Sequence, residues 1–87
     1  MTDLDLLPEH VLTEISVRLN AATAGPWTAY IEGRDHQSGS SFIMTSGADI
    51  EMSGATEADY DFIAHARQDV AKLLAEISRL RGLIGPA

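Results

Sequence analysis

The chain contains no cysteine, so neither a disulfide nor a thiolate zinc site can reinforce its core. Bases are scarce as well: six Lys and Arg stand against thirteen Asp and Glu, a formal charge of −7. Sequence-independent nucleic-acid binding, which needs bases opposite phosphate, is thereby disfavoured. No apolar run approaches the roughly 20 residues of a membrane-spanning helix. The acidic, Pro-interrupted start is unlike a secretory signal, and cytoplasmic residence is the expectation. One domain is expected for 87 residues. A domain of that size hides only about 60–65% of its unfolded-chain surface, so its stability is marginal.

The charge that is present is uneven. Residues 1–34 carry −3, residues 35–66 carry six acids and no base (−6), and residues 67–87 carry +2. Asp49, Glu51, Glu57, Asp59 and Asp61 have no base near them in sequence. Such a cluster can recognise a basic partner. More often such a run is a solvated face, here with three of the acids opening a helix, where the macrodipole favours them.

Hydrophobic periodicity supplies the elements. Leu12, Ile15, Leu19 and Ala22, widened by Val11, mark a first helix over about 8–24, stopped by Gly25-Pro26. Period-two alternation then predicts three short strands, about 27–32, 41–46 and 48–53. Trp27, Ala29 and Ile31 share one face of the first, and Ala48, Ile50 and Met52 one face of the third. The connections are too short for parallel crossovers, so the simplest topology is an antiparallel meander. Thr56 with Asp59 resembles a capping box that opens a last helix over about 57–82, with Gly82 and Gly85-Pro86 as its stop. The fold class expected is α+β, in one domain over 1–87.

Along that last helix Ile63, Ala66, Val70, Leu73, Ile77, Leu80 and Ile84 alternate at spacings of three and four. Three heptads with β-branched a positions and Leu at d favour a parallel two-stranded coil, in which Glu76 would face Arg81 of the partner. About 26 helical residues span roughly 39 Å at about 1.5 Å each, whereas a compact 87-residue globule is about 31 Å across. The helix should therefore overhang, leaving Ile77, Leu80, Leu83 and Ile84 to a second copy in a homodimer. The competing arrangement has the first helix run antiparallel over the same seam.

Catalytic constellations are weak. Asp61, His65 and Asp69 share a helix side, as do His10 and Glu14, but these are convex outer positions and sites are normally concave. No serine sits in a nucleophile elbow, and no Gly-rich loop carries a Lys for phosphate. No enzyme activity, metal or other cofactor is expected. Trp27 and Arg67 could stack on a planar ligand. More often a single Trp opening a strand is a core anchor.

Ala22-Thr23-Ala24-Gly25-Pro26-Trp27, a variable strand region, Ala58-Asp59-Tyr60-Asp61-Phe62-Ile63-Ala64-His65-Ala66-Arg67-Gln68-Asp69-Val70 and Leu73-Leu74-Ala75-Glu76-Ile77 resemble, in order and spacing, small proteins of actinobacteria and their phages. They are also similar to the Ead-like phage accessory proteins. The chain lacks the extended C-terminal part of the longer members. The resemblance implies a phage or prophage origin and a dispensable, non-structural role in the infected cell, with no catalytic residues. His65 and Arg67 are then the polar positions within the shared strings. Together these readings give a non-enzymatic accessory protein that binds a host protein through Asp49, Glu51, Glu57, Asp59, His65 and Arg67. The alternative is a dimeric protein that sequesters a nucleotide-like ligand.

Overall fold

The computed structural model describes residues 7–36 and 38–84, without the side chains of Leu83 and Ile84. The Gly85-Pro86 stop and the expected contacts of Leu83 and Ile84 lie outside the described residues. The elements are α1 (Glu9–Ala21), β1 (Thr28–Tyr30), β2 (Phe42–Met44) and α2 (Glu57–Ile84). The architecture is α+β: an N-terminal helix, a two-stranded antiparallel sheet and a long C-terminal helix.

α1 starts after Pro8, whose fixed φ of −63° suits the N-cap and whose carbonyl accepts the amides of Val11 and Leu12. It ends at Ala21, earlier than Gly25-Pro26 would require. Ala22 is already extended. Beyond it the Thr23 carbonyl accepts both the indole N–H of Trp27 at 2.9 Å and Arg67 Nε at 3.0 Å, and the Ala24 carbonyl accepts the amide of Ser46. The segment leaves the helix because its carbonyls serve the sheet and α2.

β1 and β2 pair Thr28 with Met44, Ala29 with Ile43 and Tyr30 with Phe42. The alternation holds: Trp27, Ala29 and Ile31 turn to the core, while Tyr30 stacks on Phe42 across the other face at 5.4 Å. The third strand does not form. Residues 48–53 pair through a single bridge, Ile43 with Ile50. Two residues on, the Met52 amide donates to the Tyr60 hydroxyl at 3.0 Å, and that hydroxyl faces the carbonyls of Met52 and Ser41 at 3.2 Å. A helix side chain thus takes the place of the next ladder bond.

The core lies where α2 crosses the sheet. Ile31, Ile43, Tyr60 and Ala64 are buried, Ile43 completely, with Ile50, Met52, Ala55 and Ile63 packed around them. Beside it Gln68 reads the main chain of Trp27 in both senses. Its Oε1 accepts the Trp27 amide at 2.7 Å and its Nε2 donates to the Trp27 carbonyl at 3.1 Å. The capping box is present, with the Thr56 amide on Asp59 Oδ2 at 3.0 Å and the Asp59 amide on Thr56 Oγ1 at 3.1 Å.

α1 lies antiparallel on the C-terminal half of α2, since Arg81 reaches Glu9 and the Leu7 carbonyl while Arg67 reaches Thr23. At 28 residues α2 is about 42 Å long, but α1 accompanies it as far as Arg81, so the last turns are not bare. The heptad positions divide. Ile63, Val70 and Ile77 are half-buried, whereas Leu73 and Leu80 are 61% and 44% exposed. No residue of α1 is fully buried.

Truncating the enclosed side chain, Ile43→Ala, is expected to cost about 2–5 kcal/mol. Tyr60→Phe, which strands the Met52 amide, is expected to cost about 1–3 kcal/mol. Urea denaturation followed by circular dichroism measures both, and midpoints equal to the parent's would contradict this packing.

Candidate functional site

Of the acids singled out by sequence, the structure separates those used by the fold from those left facing water. Arg34, in the loop after β1, reaches across 27 residues to α2. Its Nη1 and Nη2 grip Asp61 at 2.8 and 3.0 Å, Nη1 also meets Glu57 at 3.2 Å, and Nε donates to Asp35 at 2.9 Å. The loop turns at Gly33, whose φ of +82° favours glycine, and Asp35 accepts the Ile31 amide at 2.9 Å, fixing the Arg34 base. Hydrogen bonds from Arg34 hold the Asp61 and Asp35 carboxyls below their usual range, and those carboxyls raise Arg34 in turn. Asp59 is lowered by the Thr56 amide and hydroxyl of the capping box.

Glu57, Asp59 and Asp61 therefore serve helix opening and an ion-pair cluster. Asp49 and Glu51 do not. Both are exposed on the segment between the Ser46-Gly47 turn and α2, with no hydrogen-bond or ion-pair partner among the described residues. Glu51 and Glu32 border an open polar cleft of about 500 Å³ over Tyr60. His65 is exposed, its Nδ1 2.8 Å from the Asp61 carbonyl within its own helix. Arg67 is half-buried and serves Thr23. The six expected contact residues thus do not converge: Asp49 and Glu51 lie beside the sheet, Glu57 and Asp59 at the start of α2, and His65 and Arg67 further along it.

Arg67 and Trp27 do come together. They line, with Ile15, Leu19, Ala66 and Val70, a mostly apolar groove of about 340 Å³ between α1 and α2. Both give an N–H to the Thr23 carbonyl, a structural use. Among the expected dimer residues, Ile77 lines a second groove of about 240 Å³ with Leu7, Leu12, Ile15, Val70, Leu73 and Leu74, and Leu80 is exposed. The groups expected to pair across a parallel coil are engaged within the chain, Glu76 with Arg79 and Arg81 with Glu9. No group of three or more His, Asp or Glu among the described residues could hold a metal ion. No described helix is long and apolar enough to cross a membrane.

Sequence reasoning missed Arg34, Tyr60 and Gln68 as organisers. Arg34 carried a signal: it is the one base between Arg18 and Arg67, adjacent to the acidic stretch. Gln68, 41 residues from Trp27, carried none. No family model, curated protein or solved structure matches the chain.

The lowered carboxyls set a pH dependence. Asp35, Asp59 and Asp61 titrate lower in the folded chain than unfolded, so their stabilisation is complete above the ordinary carboxylate range and is lost as pH falls through it and below. Thermal melts should show Arg34→Ala below the parent at neutral pH, with the gap narrowing toward about pH 2 as carboxylates protonate. A constant gap would show that Arg34 acts through packing instead.

Proposed function

We propose that the protein works by binding and not by catalysis, as a small accessory protein of phage or prophage type that engages a basic surface on a host protein in the cytoplasm. The observation that carries this reading is the exposed pair Asp49 and Glu51, unpartnered among the described residues, while neighbouring Asp59 and Asp61 are held by the fold. Unpaired surface carboxylates contribute little to stability, yet they attract an opposite charge and set the rate and orientation of encounter. The resemblance to Ead-like proteins supports the accessory role and the phage-type origin.

A second reading, sequestration of a nucleotide-like ligand, is favoured by the groove that joins Trp27 and Arg67. An indole face beside a guanidinium accepts a planar, electron-rich ring.

Affinity capture from the host with Asp49→Lys/Glu51→Lys tests the first reading. Capture of a basic protein should be lost and, for the parent, should weaken with salt, while the melting temperature stays unchanged. Undiminished capture by the variant refutes the acidic contact.

Thermal-shift screening with nucleotides tests the second. A ligand at tenfold excess over Kd adds about 1.4 kcal/mol, several degrees for a domain of this size. Absence of any shift removes that reading.

A further inference from the structure

The circumference of α2 is divided among three surroundings, and one is missing. At about 100° per residue, Phe62, Leu73 and Leu80 fall within about 20° of one another. They are 74%, 61% and 44% exposed. Tyr60 and Ala64, buried beneath the sheet, stand on roughly the opposite side, and α1 lies between the two directions. The helix pair therefore has unlike faces. One is bordered by Glu9, Thr13, Ser16, Ser78 and Arg81, with Leu12 and Leu74 shared between the two faces. The other is lined by Leu7, Leu12, Ile15, Val70, Leu73 and Ile77.

We infer that a second copy of this chain covers the apolar face, α1 of each copy lying on α2 of the other in an antiparallel four-helix bundle. Size is the first argument. α1 accompanies α2 only from about residue 69 to 81, roughly 18 Å, and two helices are about 20 Å wide, on the order of 360 Å² in projection, with Phe62 beyond the end of α1. The accessible area exceeds this projection and sits at the low end of interface sizes, that of a dimer of modest affinity.

Charge is the second argument. The Glu9–Arg81 and Thr23–Arg67 contacts place positions whose numbers total 90 abreast, so Arg18 lies level with Lys72 and one turn from Asp69. Arg18 and Asp69 border the apolar face and have no side-chain partner among the described residues. A two-fold axis parallel to the helices preserves these levels. It sets Arg18 of one copy within one turn of Asp69 of the other, twice over as an isologous contact requires, with Lys72 at the level of Arg18 but about 60° further round α2, and makes every helix antiparallel to its neighbours, as in up-down bundles. A host protein of unknown surface supplies neither match.

This assembly is independent of the acidic-edge reading, and purified protein alone tests it. Light scattering should give twice the 9.4 kDa chain mass. Leu73→Glu, at a position exposed in the single chain, should give the monomer with its helical circular dichroism retained. Arg18→Glu should weaken dimerisation about tenfold, and adding Asp69→Arg should restore it. The swap does not depend on a core residue, so it decides the matter even if Leu73→Glu misfolds. A monomeric parent at several hundred micromolar, a dimer indifferent to Leu73→Glu, or a swap that fails to restore pairing would each overturn the inference.

Discussion

The burial of Ile43 between its strand neighbours and α2 is the contact on which the sheet side of the molecule depends. Two three-residue strands cannot stand alone in water. Ile43 joins Ala29 on one side and Ile50 on the other, and is sealed by the cluster of Ile31, Tyr60 and Ala64. Apolar burial is non-directional, however, and would tolerate sliding of helix over sheet. Register comes from polar groups on the same helix. The Tyr60 hydroxyl holds Met52 and Ser41, and the Gln68 amide, two turns on, holds Trp27. α2 thereby acts as a covering layer and as a source of edge hydrogen bonds to the sheet.

What the sequence disclosed and what it hid follows from the range of each interaction. The inward face of Trp27, Ala29 and Ile31 and the Thr56–Asp59 cap rest on neighbours two or three residues apart, and periodicity recovers them. The third strand failed because alternation at Ala48, Ile50 and Met52 records a buried face, while the ladder depends on who takes the amides. At Met52 that is a tyrosine on another element. The acidic cluster was legible as charge and illegible as chemistry. Arg34 reaches Asp61 through folding of the chain, leaving Asp49 and Glu51 as the acids without a local role.

The heptad shows the same distinction. Its spacing describes an apolar stripe without saying how many neighbours share it. Val70 and Ile77 line a groove with Leu12 and Ile15, so α1 takes the a side of the stripe. The d residues Leu73 and Leu80 lean out of that contact. A helix that serves an internal partner on one side does not offer its whole a and d stripe to a two-stranded coil while α1 stays in place. A bundle uses both sides at once.

Charge segregation makes the two proposed contacts compatible. Two copies each bearing −7 would repel if that charge were spread evenly. α1 carries Glu9, Glu14 and Arg18, and residues 67–84 carry four bases and two acids, so the helix pair sums to +1. The excess acid lies toward the loops and the start of α2, where residues 35–66 hold six acids without a base. Since exposed charges are screened within about 8 Å at physiological salt, two hairpins can meet through their near-neutral apolar faces while the acidic loops remain apart. In such a dimer each copy still presents Asp49 and Glu51, and the pair would engage a repeated or two-fold basic surface with avidity that a single copy lacks.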